Sequence, residues 1–341
     1  MNLSLPPGRA LILSLEEGAV RAQVVTQTPP HPGEGELLVR VLYSAINYKD
    51  ALAVSGRGRI LRRNPLIGGI DAVGIVVASR AHGWTPGTVV VAAGGGLGEE
   101  RDGGYADYLS APATILTRVP EGLNPFEAAA LGSAGLTAAL VLERLEQAGL
   151  RPEQGTVLVT GASGGVGSFA IDLFTRAGYH VVAMSGREEL REYLTALGAV
   201  EVIAPPQSAA APVGLASARW SAAVDNVGGQ TLAWILERIR RGGKVAAVGM
   251  AASSTVTLSI FPLILRQVDL LGVNSTEVDH ERRASLWARL AGPWRPRHLD
   301  RIAARTVGFD EIPGAVDDVL ERRHHGRIVV GLGGGVAESA C

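Results

Sequence analysis

Apolar positions follow two different patterns along the chain. Up to Leu123, apolar and β-branched residues occur in short runs separated by Gly and Pro. The clearest runs predict strands over 36–43, 72–78 and 87–92. From Asn124 onward, apolar residues recur three and four positions apart over 126–131 and 136–145, which is helical spacing. The chain is therefore predicted to begin with a β-barrel-like domain, followed by helix.

After Gly155, strand-like and helix-like segments alternate. The predicted strands cover 156–160, 179–184, 222–225, 244–249 and 268–273. The predicted helices between them cover 166–177, 188–196 and 230–240. This alternation predicts an α/β fold with a doubly wound parallel sheet and right-handed crossovers.

The tail of the chain contains two more predicted helices, over 282–290 and 312–322, and a last strand over 326–330. Because a terminal strand needs a sheet to join, we expect this strand to return to the first domain. The segment 204–212 is rich in Ala and Pro and is predicted to be a loop.

Length and composition limit the class of protein. The 341 residues exceed the usual size of one hydrophobic core, which predicts two domains. A net charge of −1 argues against a general nucleic-acid binder. The chain shows no long apolar span and no signal-like start, so we expect a soluble, cytoplasmic protein without a membrane partner. The one cysteine, Cys341, excludes an internal disulfide and a cysteine zinc cluster.

The run 157–168, VLVTGASGGVGS, passes from a strand pattern through a glycine-rich turn into a helix pattern. Ala162, Gly164 and Gly167 occupy the small-residue positions of a dinucleotide-binding turn. The first permits the turn, the second lets backbone approach the phosphates, and the third lets the helix lie against the sheet. The helix start then attracts the pyrophosphate. Glycine-rich turns also occur for structural reasons alone, but the flanking strand and helix favour a dinucleotide site.

The predicted strand 179–184 is followed by Ser185, Gly186 and Arg187 rather than by an acid. An NAD site normally places Asp or Glu there to bind the ribose 2′-hydroxyl. A hydroxyl, an unhindered backbone N–H and a guanidinium suit a 2′-phosphate instead, which predicts NADPH. In the alternative interpretation, Arg187 only solvates the next helix, where Glu188 and Glu189 neutralise it.

Five segments, in order along the chain, resemble the medium-chain dehydrogenase/reductase superfamily. The resemblance is close to its zinc-free acrylyl-CoA reductases (NADPH), also called quinone oxidoreductases. These segments are 44–52, 69–74, 132–138, 160–168 and 182–187. The resemblance implies a GroES-like β-barrel catalytic domain over 1–128 and an NADPH-binding Rossmann domain over 129–272. It also implies that 273–341 returns to the catalytic domain.

The same resemblance implies that no zinc is bound. Zinc-dependent relatives carry a Cys where this chain has Asn47 and Tyr48, and Gly-His-Glu where it has Gly69, Ile70 and Asp71. Ile70 cannot ligate a metal, so the Lewis-acid mechanism of alcohol dehydrogenases is not expected. We expect Asp71 to hydrogen-bond nearby backbone.

A nicotinamide enzyme without a metal works best on an acceptor that spreads the charge by conjugation. The family's activity is the reduction of acrylyl-CoA to propanoyl-CoA, with hydride to the β-carbon and a proton to the α-carbon. Reduction of quinones or other enones is the alternative that the sequence separates poorly from it. A non-enzymatic nucleotide-binding protein is a third hypothesis.

The resemblance carries functional roles onto particular residues. Tyr48 and Asn47 are expected to be catalytic, and Tyr48 also to contact the cofactor, unless Tyr48 is a core aromatic. The remaining cofactor contacts are Ser163, Gly164, Gly165, Val166, Ser185, Gly186, Arg187, Met250, Ile264 and Ser275. Two positions depart from the family: Pro205 replaces an Arg for the adenosine phosphate, and Glu321 replaces a neutral amide.

Several charged residues other than these catalytic and cofactor residues allow two interpretations. Arg57, Arg59, Arg62 and Arg63 could bind the phosphates of an acyl-CoA, or could be solvated surface arginines. Lys49 and Asp50 are expected to form a salt-linked helix start rather than to take part in catalysis. Arg327 is expected either near the substrate or in a structural ion pair. By analogy with the superfamily, a homodimer is expected to form through the edge strand near 268–273.

Overall fold

The computed structural model describes residues 5–206 and 214–332. Cys341 and residues 207–212 of the predicted loop lie outside the described residues. The chain divides into two compact units. The first comprises Met1–Leu136, Thr276–Ala291 and Leu299–Cys341, and the second comprises Thr137–Ser275 and Gly292–His298. The domain boundaries predicted from the sequence, after 128 and after 272, stay predictions.

The strands of the described residues are numbered in chain order. They are β1 (Gly8–Glu16), β2 (Ala19–Gln27), β3 (Glu36–Ile46), β4 (Leu66–Ile67), β5 (Asp71–Ser79), β6 (Val89–Ala93), β7 (Tyr108–Pro112), β8 (Thr117–Arg118), β9 (Thr156–Thr160), β10 (His180–Met184), β11 (Ala199–Ile203), β12 (Trp220–Asp225), β13 (Ile239–Ala247), β14 (Asp269–Gly272), β15 (Arg305–Gly308) and β16 (Ile328–Gly331).

The α-helices are numbered in the same way. They are α1 (Tyr48–Ser55), α2 (Pro125–Gln147), α3 (Gly165–Arg176), α4 (Arg191–Ala196), α5 (Gly229–Leu236), α6 (Phe261–Leu265), α7 (His280–Ala291), α8 (Leu299–Ile302) and α9 (Ile312–Leu320).

Two sheets build the first unit. A small sheet has the order β2-β1-β4, and a larger one has the order β15-β16-β3-β5-β6-β8, with β7 also paired to β3. The last strand, β16, pairs antiparallel with β3, so residues 328–331 lie beside residues 43–46. Alternate side chains of these strands are buried in one apolar core, which includes Leu13, Val39 and Val330. This pairing brings residues from both ends of the chain together.

The second unit contains one parallel sheet, with the order β11-β10-β9-β12-β13-β14. This is the strand order of a Rossmann fold, and it confirms the predicted doubly wound sheet. Val157, Leu158 and Val159 in the central strand are fully buried, as expected for a strand covered on both faces. The order reverses direction between β9 and β12, which is the position where such sheets bind ligands at their carboxyl ends.

One helical prediction was wrong at its end. A helix was predicted over 230–240, but α5 ends at Leu236 and β13 begins at Ile239. Ile239 pairs with Trp220 of β12, and buried Trp220 packs on Trp234 with ring centroids 5.3 Å apart. The apolar residues after Leu236 match helical spacing, but the sheet places them in a strand.

Helix α2 joins the two helical segments predicted separately and is kinked at Gly132, where φ is 44° and ψ is −148°. Its most apolar stretch would suffice in length and composition to cross a membrane, but 78% of it is buried in the protein. Such burial is typical of a core helix.

Candidate functional site

The glycine-rich turn connects β9 to α3 at the carboxyl edge of the parallel sheet, beside the switch point. A Cβ on Gly167 would lie 2.3 Å from the carbonyl oxygen of Gly161, so this position has no room for a side chain. The helix can therefore start directly against the turn. Ser168 donates its N–H to the carbonyl of Gly164. The N–H groups of Gly165, Val166 and Gly167 come earlier, and have no carbonyl of their own helix to bond. Such a helix start is a binding site for an anion.

Gly164 differs from Gly167 because, within the part of the chain that the structure describes, no close contact requires it to be glycine. Its backbone is extended, with φ −79° and ψ 175°. A Cβ there would meet only the carbonyl oxygen of Gly161, at an ordinary contact distance of 3.4 Å. The space above Gly164 is thus open to a ligand.

The residues predicted to bind the 2′-phosphate lie together and reach the glycine turn. Arg187 donates its backbone N–H to Oγ of Ser185 at 3.2 Å, and its Nη2 donates to Oγ of Ser163 at 3.0 Å. Glu188, which the alternative interpretation pairs with Arg187, is bound by the guanidinium of Arg191 at 2.5 and 3.0 Å. The side chain of Arg187 therefore points to the turn at the end of the neighbouring strand.

Pro205 lies at the same corner. A Cβ on Gly186 would be 3.6 Å from Cγ of Pro205, so the two residues are neighbours. The ring of Pro205 lies beside Gly186, which stands between Ser185 and Arg187 in the chain. It offers no charge and no hydrogen-bond donor for a phosphate.

Sequence reasoning missed Asp225, whose carboxyl group joins the loops on both sides of the switch point. Oγ1 of Thr160 donates to Oδ1 of buried Asp225 at 2.6 Å, and the N–H of Gly228 donates to its Oδ2 at 2.9 Å. Nδ2 of Asn226 donates to the carbonyl of Thr160 at 2.8 Å. Burial raises the pKa of Asp225 above its ordinary value. The signal was an acid ending an apolar strand just before a Gly pair.

The other cofactor residues predicted in the second unit are more scattered. Met250 and Ile264 are each 61% exposed. Met250 lies in the loop after β13, where its Cα is 3.2 Å from the Cβ position of Gly228. Ser275 shares a hydrogen bond of 2.6 Å with Oγ1 of Thr137. Their role at the nicotinamide stays a prediction.

In the first unit, the buried side chains of Asp50, Asp71 and Arg327 form a polar cluster with the half-buried side chain of Asn47. Nη2 of Arg327 is 3.0 Å from Oδ2 of Asp71, and both side chains are almost fully buried. Oδ1 of Asp71 also accepts hydrogen bonds from the N–H and Oγ of Ser133, at 2.9 and 2.5 Å. These hydrogen bonds include the backbone contact expected for Asp71. Of the two roles predicted for Arg327, the structure shows the structural ion pair.

The ion pair of Asp71 and Arg327 lies so close to Gly132 that no side chain fits at this position. A Cβ there would lie 2.5 Å from Oδ2 of Asp71 and 2.8 Å from Nη2 of Arg327. Its φ of 44° also belongs to the left-handed region that favours glycine. The kink of α2 and the ion pair therefore depend on each other.

Asp50 lies in the first turn of α1, as predicted, but it is buried and is not salt-linked to Lys49, so the salt link was wrong. Lys49 pairs instead with Glu99 at 2.7 Å. Asp50 accepts hydrogen bonds from the backbone N–H and Nδ2 of Asn47, at 2.9 and 3.0 Å, and from the N–H of Ile70 at 2.8 Å. Burial, and then the negative charge of Asp71, raise the pKa of Asp50 to about 7. The guanidinium of Arg327 thus pairs with Asp71, whereas the carboxyl group of Asp50 is held by the N–H groups of Asn47 and Ile70.

The two residues predicted to be catalytic have different surroundings. Nδ2 of Asn47 donates to Asp50 at 3.0 Å and to Asp71 at 2.8 Å, and its Oδ1 accepts from Arg327 at 2.7 Å. Tyr48 begins α1 and is 45% exposed, so it is not the core aromatic of the alternative interpretation. Asn47 is bound within the cluster, whereas Tyr48 is accessible.

Three of the four arginines predicted to bind CoA phosphates pair with acids. Arg57 is 3.5 Å from Glu321, Arg62 is 2.7 Å from Glu100, and Arg63 contacts Asp102. All three pairs are solvent-exposed, and such pairs contribute at most about 1 kcal/mol. Glu321, which departs from the family, therefore faces Arg57. Across residues 5–206 and 214–332, no three His, Cys, Asp or Glu side chains are grouped so that they could hold a metal ion.

A doubly wound sheet with a glycine turn at its switch point, on the same chain as a β domain, defines the dehydrogenase/reductase class. Two family models agree. Residues 33–121 match the alcohol dehydrogenase GroES-like domain, and residues 165–291 match the zinc-binding dehydrogenase family. These matches confirm the predicted fold class.

Individual relatives narrow the class. The chain is 44% identical to the putative quinone oxidoreductase YhfP of Bacillus subtilis, over 88% of this chain and 91% of the relative. It is 40% identical to the probable acrylyl-CoA reductase AcuI of Escherichia coli, over 94% and 99%. The protein belongs to the medium-chain dehydrogenase/reductase superfamily and is an oxidoreductase.

Solved structures give the same result. The crystal structure of Escherichia coli YhdH with bound NADPH is 39% identical and superposes with a TM-score of 0.91, covering 95% of this chain and 99% of that one. The structure of Bacillus subtilis yhfP with NAD bound is 41% identical, with a TM-score of 0.91 and coverage of 96% and 100%.

Substitutions at Gly164 and Gly167 are expected to affect different properties, NADPH binding in the first case and stability in the second. Gly164→Ala is expected to weaken NADPH binding at least about tenfold, because its methyl group would occupy the open space that is predicted to hold the phosphates, with a loss of about 1 kcal/mol or less in stability. Gly167→Ala is expected to cost roughly 1–3 kcal/mol, because its Cβ meets backbone. NADPH fluorescence titration and urea unfolding measure the two effects. Unchanged binding by Gly164→Ala would contradict this assignment.

Asp50 should make stability depend on pH. Its ordinary pKa of 3.8 rises to about 7 on folding, so folding favours the protonated form. Its contribution to the unfolding free energy is lost as pH rises from about 4 through about 7, by at most about 1.4 kcal/mol per pH unit.

Asp50→Asn cannot titrate and serves as the comparison for this loss. Between about pH 5 and pH 7, the unfolding free energy of the wild type should fall more than that of the variant. Urea unfolding of both proteins across this range measures the difference. Parallel curves would show that Asp50 is ionised throughout.

Proposed function

We propose that the protein reduces the conjugated C=C bond of acrylyl-CoA with NADPH, giving propanoyl-CoA. The observation that carries the proposal is the contact of Arg187 with Ser163, which joins the predicted 2′-phosphate residues to the glycine turn. The relative named as a probable acrylyl-CoA reductase, 40% identical over nearly the whole chain, supports the substrate.

The residues present fit NADPH. The open space above Gly164 and the N–H groups of Gly165 and Val166 suit the pyrophosphate, together with Ser163. Ser185, Gly186 and Arg187 suit the 2′-phosphate. Pro205 removes one cation from that corner, so we infer a weaker preference for NADPH over NADH than an enzyme with two arginines has. Met250, Ile264 and Ser275 are proposed to border the nicotinamide.

When bound, NADPH supplies a hydride for the β-carbon of the acceptor. The protein must then stabilise the negative charge that develops on the carbonyl oxygen. We propose Tyr48 for this role, because its phenol is accessible and can donate a hydrogen bond. The α-carbon then takes a proton, and the proposed reaction uses no metal ion.

The CoA moiety would be bound by arginines of the 57–63 loop. Arg59, Arg57, Arg62 and Arg63 are the proposed contacts. The pairing of the last three with carboxylates favours the second candidate function, reduction of quinones or enones without a CoA group. The relative named as a putative quinone oxidoreductase agrees with that alternative.

A homodimer is proposed on the edge of the parallel sheet. β14 is the last strand of the sheet, and several apolar side chains on α6 and β14 are exposed, notably Phe261, Leu265 and Leu270. An unpaired edge beside exposed apolar residues suits a second copy of the chain. We also propose a cytoplasmic location, as expected for an enzyme acting on acyl-CoA.

The substrate proposal is tested by steady-state rates with acrylyl-CoA, crotonyl-CoA, a benzoquinone and a simple enone, each with NADPH. Acrylyl-CoA is expected to give the highest kcat/KM. Tyr48→Phe should lower kcat for acrylyl-CoA about 10- to 1,000-fold, as expected for loss of one oxyanion donor. No turnover of acrylyl-CoA, with turnover of the quinone, would establish the alternative.

The cofactor proposal is tested by Arg187→Ala. This variant should raise the KM for NADPH at least about tenfold, because a charged hydrogen bond to phosphate is lost, and should change the KM for NADH less than about twofold. Arg191→Ala is the matched control, since Arg191 binds Glu188 nearby and not the turn. An equal effect of Arg187→Ala on both cofactors would refute its assignment to the 2′-phosphate.

A further inference from the structure

The side-chain amide of Asn47 is hydrogen-bonded to each of the other three side chains of the polar cluster. An amide offers two N–H donors and one carbonyl acceptor, and those of Asn47 bind Asp50, Asp71 and Arg327 respectively. Asn47 could donate to a substrate only by releasing a buried carboxylate, which is costly. Its side chain therefore serves the protein interior.

The same amide fixes the start of α1. Asn47 is the N-cap of the helix, and Tyr48 is its first residue. Oδ2 of Asp50 binds both the backbone N–H and the side chain of Asn47, at 2.9 and 3.0 Å. Holding Asn47 at its backbone and at its side chain sets the direction in which the backbone presents Tyr48.

Burying the charged groups of the cluster costs desolvation free energy, so stability alone does not account for them. Asp50 and Asp71 are each 1% exposed and Arg327 is 3% exposed. Buried ion pairs are often no more stabilising than apolar residues of the same volume, and a second carboxyl group adds desolvation. The ion pair also requires glycine at 132, in a left-handed conformation. What it provides is a defined geometry around Asn47.

We propose that Arg327, Asp71 and Asp50 are positioning residues for Tyr48, which they orient through the Asn47 amide. This proposal rests on the role of Tyr48 in the proposed reduction. The residues that suit the dinucleotide, by contrast, are the glycine turn and Arg187, which contact one another within the second unit. Disturbing the cluster should therefore lower turnover much more than NADPH affinity.

A double-mutant cycle tests this coupling. Arg327→Lys and Asp50→Asn keep the charge or the shape of the side chain and should each lower kcat about 10- to 100-fold through misplacement of Tyr48. In the Tyr48→Phe background the same substitutions should lower kcat less than about twofold, because the phenol they orient is gone. Relative to the Tyr48→Phe single variant, the same substitutions should leave the Kd for NADPH within about twofold. Full additivity of the two losses would overturn the proposal.

Ser44→Ala is the control for general destabilisation. Ser44 is fully buried and donates to the backbone carbonyl of Asp71 at 2.6 Å, without touching the carboxylates or the amide of the cluster. It should lower the unfolding temperature as much as Asp50→Asn does while changing kcat less than about twofold. A loss of kcat that follows the unfolding temperature across all three variants would show a structural role only.

A second readout does not depend on activity. With 3-fluorotyrosine in place of tyrosine, the fluorine resonance missing from Tyr48→Phe identifies Tyr48. This resonance should shift or broaden in Arg327→Lys and Asp50→Asn but not in Ser44→Ala. A shift in a protein that reduces none of the acceptors would uphold the positioning role and remove the proposed function. An unmoved resonance in both cluster variants would refute the positioning role.

Discussion

The buried ion pair of Asp71 and Arg327 is the interaction on which the first unit depends. It joins the start of β5 to the residue that precedes β16, 256 positions later in the chain. Through Ser133 it also fixes the kinked turn of α2, and through Asn47 it fixes the start of α1. Four segments therefore share one carboxylate and one guanidinium. Because neither charge is exposed to water, each partner must find all its hydrogen bonds within these segments.

In the second unit, one buried acid connects two neighbouring strands at the edge of the sheet. Asp225 ends β12 and binds Thr160 at the end of β9, together with the N–H groups that begin the following loop. The two strands on either side of the switch point are thereby joined at the place where ligands bind in this fold. The glycine turn can then leave its own N–H groups for an anion, because its position is already held by neighbours.

The two units carry different polar groups. The turn and Arg187 offer N–H groups and positive charge, whereas the cluster in the first unit keeps the charged groups of Asp50, Asp71 and Arg327 buried next to the exposed Tyr48. This division matches an oxidoreductase whose cofactor contributes the reactive hydride. The protein contributes binding, orientation and electrostatics. The pairing of Lys49 with Glu99, and not with Asp50, keeps a surface charge out of the cluster.

Local patterns in the sequence were sufficient for the parallel sheet, the glycine turn and the loop with Ser185 and Arg187. Alternating strands and helices, and the small residues that a turn requires, depend on neighbours within a few positions. The end of α5 was missed because Ile239 fits a helix locally but pairs with Trp220 in the sheet.

The polar cluster could not be derived in this way. The pairing of β3 with β5 brings Asn47 and Asp50 close to Asp71, and Arg327, 256 positions after Asp71, joins them only because β16 returns to β3. The inward position of Asp50 and the need for glycine at 132 follow from that meeting. Sequence determined which residues the protein has for a dinucleotide. Only the tertiary structure decided which of its charges are buried together, since burial and pairing depend on contacts between distant segments.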